Sequence, residues 1–453
     1  MKRCFPQMTS LAFLAALTAP MVLWGQNQAE PTNSDSTQTD QTDPSDQSGL
    51  GAYLLRTFKL TGSIRARWEG PEGAFTVTPA DSYMCTQLRL GVLFQPVSWL
   101  RAFVEAQDAR AEFYRAPLTN AIYDPVDLHL AWVGLGNPEG PGAFVKIGRQ
   151  DMVIGSGHLL ASIDAWWLYT ARNFDVAHGT FTTKYFKTEL VAGSAVLINT
   201  TGFDEHRPGD HVYADYNSFD RLLPGASVEP YLIVRTLNNV KSKEGQLGNM
   251  DTLAVGARII GKIPGGFDYN FEPLHEFGGY SNDRLNATGL LTGAGWTISS
   301  SGWKPRVSTD YEYASGDDAK KDHSRETFDN MFGFNWPMNS ITGQFAWKNL
   351  KDLRAGVEFT PFKKLTFKVD WRDLWLANIN DGLYNAVGTR TVFNPSATSA
   401  HIGESVEMMA TATLTKHTSF GFGVGTIFPG EYLKESKKDQ PYIYPYVSFT
   451  QTF

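Results

Sequence analysis

The sequence predicts an all-β fold: a transmembrane antiparallel β-barrel of about eighteen strands, with short periplasmic turns and long extracellular loops. Three observations predict it. An apolar–polar alternation of period two recurs from Phe58 onward, short and long connections alternate, and the last strand runs into the final residue, Phe453.

The chain has 453 residues, 13% of them aromatic, and a net charge of -7. That balance offers no basic surface to nucleic acid, and it fits a soluble acidic enzyme as well as a barrel. The N-terminus narrows the choice. Lys2 and Arg3 precede an apolar run, Leu11 to Leu17, and a second patch, Met21 to Trp24. Residues 1–26 read as a secretory signal, too short and too Pro-interrupted to span a bilayer. Residues 27–49 are rich in Gln, Ser, Thr, Asp and Pro, so a disordered linker is expected over 27–56, with an interaction tail as the sharper alternative. The barrel then takes 57–453. Cys4 falls inside the signal, which leaves Cys85 alone in the mature chain, so a disulfide framework and a zinc cluster are both excluded. No later stretch is apolar for long enough to form a spanning helix. A secreted chain of this kind can still enter a membrane as a closed barrel, where every backbone group is paired.

The strands read as follows. Leu60, Ile64, Ala66 and Trp68 share one face, while Thr61, Ser63, Arg65, Arg67 and Glu69 share the other. Leu88, Leu90, Val92 and Phe94 oppose Gln87, Arg89 and Gly91. Leu100, Ala102, Val104 and Ala106 oppose Arg101, Phe103, Glu105 and Gln107. Late in the chain, Val307 to Tyr313 alternates with Arg306, Ser308, Asp310 and Glu312, and Leu353 to Phe359 with Arg354, Gly356, Glu358 and Thr360. Leu365, Phe367, Val369 and Trp371 alternate with Thr366, Lys368, Asp370 and Arg372. A one-sided soluble sheet alternates too.

The connections break that tie. Short turns are expected near 96–98, 136–142, 184–187, 223–225, 263–266, 300–303, 361–364 and 415–418. Longer polar loops fall near 70–81, 111–125, 151–171, 199–210, 239–250, 279–285, 314–345, 377–403 and 429–440. This places both chain ends on the short-turn side, as in outer-membrane barrels. Pro441 to Phe453 puts Ile443, Val447, Phe449 and Phe453 on one face; a free aromatic edge invites aggregation, whereas a barrel pairs it with the first strand. Expected partners are outer-membrane lipid and, through the strand ending in Phe453, the barrel-assembly machinery.

Several landmarks then carry a resemblance. Gly148-Arg149-Gln150-Asp151 is followed by Gly155-Ser156-Gly157-His158-Leu159-Leu160 and by Arg172-Asn173-Phe174-Asp175. Next come Tyr311-Glu312-Tyr313-Ala314-Ser315-Gly316-Asp317, Thr327-Phe328-Asp329, Trp375-Leu376-Ala377, Asp381-Gly382-Leu383-Tyr384 and Pro429-Gly430-Glu431-Tyr432-Leu433. In order and spacing the chain resembles the alginate-export family of outer-membrane proteins from about residue 60 to Phe453. The resemblance implies a monomeric eighteen-stranded barrel whose narrow, arginine-lined lumen passes an anionic polysaccharide. One departure is visible: the family tends to carry Arg where this chain has His158, which exchanges a fixed charge for a titratable one.

The period sets which bases face the lumen: Arg65, Arg67, Arg89, Arg101, Arg258, Arg354, Lys368 and Arg372 are the expected substrate-binding set. Distance from the short turns puts Arg89, Arg258, Arg354 and Arg372 at one height, roughly 15 to 25 Å above the periplasmic end. A guanidinium fork matches a carboxylate and stays charged. Inward acids (Glu69, Glu105, Asp268, Glu272, Asp310, Glu312, Glu358, Asp370 and Glu407) about match the bases, so simple neutralisation across strands competes with binding. Arg149 would face lipid by strict alternation; at a strand end, with Arg172 and Asp175, it would instead anchor a folded-in loop. Asp317, Asp318 and Asp322 lack the spacing of an EF-hand and read as a solvated acidic loop. Trp166, Trp167 and Trp375 fit a girdle or loop contacts better than sugar stacking. Linear motifs for catalysis, phosphate or metal are absent, and no cofactor is expected. A passive channel for an anionic poly- or oligosaccharide is the leading expectation. A barrel enzyme acting on lipid or glycan, and a plugged structural or adhesive barrel, are the alternatives.

Overall fold

A computed structural model describes residues 50–73, 75, 82–115, 118–162, 168–298, 301–318, 322–333, 335–336 and 338–453. The expected signal, most of the linker, Trp166 and Trp167 lie outside the described residues. The last expected linker residues are helical instead: α1 spans Leu50–Thr57 and leads directly into the first strand.

Among the described residues, eighteen long antiparallel strands close on themselves. The first six are β1 (Phe58–Glu69), β2 (Tyr83–Val97), β3 (Leu100–Glu112), β4 (Asp124–Gly136), β5 (Gly142–Gln150) and β6 (Phe174–Thr182). β7 (Lys187–Leu197), β8 (Glu205–Leu223), β9 (Ala226–Lys241), β10 (Leu247–Ile263), β11 (Phe267–Tyr280) and β12 (Asp283–Thr297) follow. β13 (Arg306–Ala314), β14 (Leu350–Phe362), β15 (Leu365–Leu376), β16 (His401–Thr415), β17 (Thr418–Pro429) and β18 (Tyr442–Thr452) complete the wall. Each strand pairs with its sequence neighbours, and β18 returns to β1 in the register Ser63↔Thr452 through Glu69↔Tyr446.

The wall is inside-out relative to a soluble protein. Leu60, Leu90, Val104, Ile147, Phe271 and Val357 are exposed on the outer face, whereas Gln87, Arg89, Glu272, Asp352 and Glu407 are buried inside. All the expected short turns connect the strands expected. Two expected long loops do not exist as such. β10 follows β9 after residues 242–246, closed by Ser242 N–H donating to Gln246 O at 2.9 Å. β12 follows β11 after Ser281 and Asn282 alone, with Ser281 at a φ of 58°, a left-handed conformation usually left to Gly. The ladder continues through both segments, and Val240, Met250 and Leu285 stay buried on its inner side.

Described parts of the longest loops pack against the inner face of the wall. The 151–173 loop carries a small hairpin, Val153–Ile154 with Leu160–Ala161, and Leu160 bridges to Phe332 of the 315–349 loop. Leu159, Leu160, Phe328, Phe332 and Trp347 from these loops form an apolar core with inward Val176, Val212, Ile233, Ala254 and Leu274. A second core joins Ile341 and Phe345 to Leu374, Ile427, Tyr444 and α2 (Glu431–Glu435) in the last loop.

The seam is tight at its lower end. Gly62 and Phe453 exchange both backbone hydrogen bonds at 3.0 Å, and the Phe453 ring covers the space a Gly62 side chain would fill. Deleting Phe453 removes two hydrogen bonds and that contact. It should cost about 1–3 kcal/mol. Heat-modified gel mobility should then change at a lower temperature than in the full chain, and an unchanged temperature would contradict this account of the seam.

Candidate functional site in the lumen

The bases expected to face the lumen fall into separate sectors of the wall. In the β1–β3 sector Arg65 donates to Gln87 at 3.2 Å, and Arg89 donates to Gln107 at 2.7 and 2.8 Å. Arg67 donates to Glu69 at 2.7 Å and lies against the Tyr169 and Trp336 rings at 5.1 and 5.6 Å. Arg101 sits apart, 3.8 Å from Glu139 in the turn after β4. On β10, Arg258 meets Glu229 at 3.0 Å and Glu272 at 3.9 Å.

The third sector is the densest. Arg354 and Arg372 are direct cross-strand partners on β14 and β15. Two like charges are held side by side only because carboxylates surround them. Arg354 pairs with Asp310 and Asp370, Lys368 with Asp370 at 2.8 Å, and Arg372 with Asp352 and, at 3.9 Å, Glu407. Arg372 also donates to Met338 O at 2.6 Å, which ties the wall to the 315–349 loop. Of the zone expected at one height, Arg354 and Arg372 are together, Arg258 lies between Glu229 and Glu272, and Arg89 belongs to another sector.

His158 is in the 151–173 loop, not in a spanning strand. It packs edge-on against Trp347 with centroids 5.4 Å apart, and its Nε2 is 4.0 Å from Glu312. Burial, then the charges of Arg258 and Arg372, pull its pKa down to about 3, so the imidazole is neutral where the channel works. The titratable charge expected there does not operate near neutral pH.

The proposed loop anchors separate. Arg149 and Asp175 lie opposite each other on β5 and β6 and form a forked pair at 2.9 and 3.1 Å across the two ends of the loop. Arg172 is not with them. It is buried inward against Phe332, whose ring also takes Arg235 at 4.3 Å. Arg235, overlooked in the sequence, is forked on Asp210 at 3.0 and 3.1 Å and donates to Met331 O, so it holds the 315–349 loop. Its signal was present: Arg235 continues the inward face of Glu229, Tyr231 and Ile233. Asp317 is neutralised by Lys243 Nζ at 2.6 Å, with Asp322 at 3.5 Å from the same amine. Trp375 and His401 are cross-strand partners on β15 and β16 with ring centroids 5.6 Å apart, a contact within the wall and not the expected loop contact.

Two outcomes test these assignments. Arg372→Met leaves Asp352 and Glu407, at 0% and 1% exposure, without their cation, and should cost about 3–5 kcal/mol in unfolding experiments. The second concerns pH. Unfolded His158 takes up a proton near 6.5, the folded residue only near 3; between these values the unfolded chain binds more protons, so stability falls as pH falls. His158→Gln should flatten that decline. Parallel pH curves for both proteins would refute the burial argument.

The comparisons agree with this geometry. No curated protein sequence matches the chain. Among solved structures, OccK5 (OpdH) of Pseudomonas aeruginosa has a TM-score of 0.59 at 10% identity, covering 88% of this chain and 99% of its own. OpdK of Pseudomonas aeruginosa with vanillate has a TM-score of 0.59 at 9% identity, covering 88% and 99%. OccK11 (OpdR) of the same organism has a TM-score of 0.57 at 9% identity, covering 87% and 96%. At such identities these proteins share the fold alone. The family model described as alginate export matches residues 57–441. The chain is an integral outer-membrane β-barrel, family and architecture together support a channel, and the chain belongs to the alginate export family.

Proposed function

We propose that the barrel is a passive channel for an anionic, uronate-type polysaccharide or oligosaccharide. One observation carries the reading: Arg354 and Arg372 stand side by side across β14 and β15, with Lys368 beside them on Asp370. The two guanidinium groups are already oriented by Asp310, Asp370 and Asp352, as that of Arg258 is by Glu229. A cavity of about 190 Å³ lined by Tyr83, Trp336, Gln344, Tyr442 and Tyr444 adds aromatic edges and polar groups suited to sugar hydroxyls. A second reading, a barrel closed at rest, is favoured by the apolar core that the inward loops build.

Single-channel recording in planar bilayers separates them. The expected result is anion-preferring conductance, blocked by uronate oligomers and not by neutral ones. Arg258→Lys keeps the charge and loses the fork, so block should weaken roughly tenfold. Conductance that prefers cations and ignores uronates would end the anionic reading. A silent wild type that conducts once 315–349 is deleted would select the closed barrel.

A further inference from the structure

Outside the arginine sectors, at the extracellular end of β4, Asp124, Asp127 and Asp204 each bring one carboxylate oxygen within 4.8 Å of the others. A regular strand would send residues three apart to opposite faces. Here the pairing of β4 with β3 slips, from Gln107↔Asp127 to Ala109↔Asp124, so two residues of β4 stand against one of β3. Such a bulge re-aims side chains, and it turns Asp124 and Asp127 to one side. Asp204 arrives from the 198–204 connection between β7 and β8. Its own N–H donates to Asp127 Oδ2 at 2.5 Å, while its Oδ1 accepts from Asn199 N–H at 2.7 Å.

A second observation points to a ligand. Asp124 is only 1% exposed; Gln107 donates to its Oδ2 at 3.1 Å, but its Oδ1 receives no hydrogen bond. A buried carboxylate oxygen without a donor costs free energy that folding does not recover. Neighbouring bases do not fill the gap: Arg149 is forked on Asp175, and Arg110 on Asp108 at 2.7 and 2.8 Å. Burial and the adjacent Asp127 hold the Asp204 carboxyl above the ordinary range, as expected for crowded acids.

We propose that Asp124, Asp127 and Asp204 form a calcium site that ties the β7–β8 connection to β4. Calcium accepts carboxylate oxygens from separate segments in irregular geometry, whereas magnesium needs rigid octahedral coordination at about 2.1 Å. A cavity of about 570 Å³ adjoins two of the three carboxylates, lined by Asp127 and Asp204 with Leu128, Arg149, Asp175 and Phe203. Three carboxylates at an extracellular position suit an affinity of about 0.1–1 mM.

The test uses the purified full barrel in detergent, stripped with EDTA and titrated with calcium chloride by calorimetry. Heat-modified gel mobility is followed in parallel. Saturable uptake of one ion per chain and a higher transition temperature are expected, with magnesium at least tenfold weaker. Asp124→Asn and Asp204→Asn should each abolish both effects. In EDTA these variants should be as stable as wild type or more so, because each removes repulsion. No calcium response in wild type, equal responses in wild type and Asp204→Asn, or equal affinity for magnesium would each overturn the assignment. Should a variant fail to fold, the wild-type titration against EDTA still decides.

Discussion

A strand in hydrocarbon cannot leave an amide or carbonyl without a partner, because no water reaches it and each orphan costs several kcal/mol. Every long strand of this wall meets the requirement through its two neighbours, and the sheet has no edge only because β18 lies against β1. The position of every other side chain follows from that closure. Once the seam fixes register, the period of two decides which residues meet lipid and which meet the lumen, all around the wall. A slip of one residue at the seam would send Arg65 and Arg67 into lipid and Trp68 into the pore.

Closure also explains why so much charge is tolerated inside. The wall excludes lipid from Arg354, Arg372 and their neighbours, but the inward loops exclude much of the water as well. Charges in such a place are stable only when paired, and the pairs seen are cross-strand or next-strand contacts supplied by the ladder itself. The loops exploit the same groups: Arg235 and Arg372 each spend one N–H on a loop carbonyl, Met331 O and Met338 O. Loop position and wall charge are therefore coupled.

What could be read from the sequence depended on whether the two faces of a strand meet different surroundings. β2, β14 and β15 have lipid outside and charged lumen inside, and their alternation is plain. β9 reads Tyr231-Leu232-Ile233-Val234, apolar on both faces, because Tyr231 and Ile233 pack against loop residues such as Leu160 and Phe332. The contrast between the two faces fades there, and Arg235 was missed although it shares the parity of Glu229, Tyr231 and Ile233. The hairpin at Ser281–Asn282 was missed for another reason: Gly278-Gly279 and Ser281-Asn282-Asp283 read as loop residues. Individual lumen bases were legible; their partners were not, because pairing depends on register between strands and on loops that return from far along the chain. The acid trio was invisible for a similar reason: it needs a bulge at β4 and a residue from beyond β7.

The neutralised lumen bears on how an anion could pass. An isolated guanidinium in a narrow pore would bind a carboxylate tightly and hold it, which stops conduction. Arg258 and Arg354 already have resident carboxylates at hydrogen-bonding distance. If the cargo is a polyuronate, as proposed, each of its carboxylates must displace or share a partner that the wall supplies, so one bond is exchanged for a similar one and the net gain is small. The fork geometry keeps its specificity while the affinity of each step stays low. A long chain with many carboxylates then gains a little at several sectors in turn, Arg65 and Arg89, Arg258, Arg354 and Arg372, and is trapped at none of them. Separate sectors serve this better than the basic zone at one height expected from the sequence, because a polymer can engage the next sector before it leaves the last.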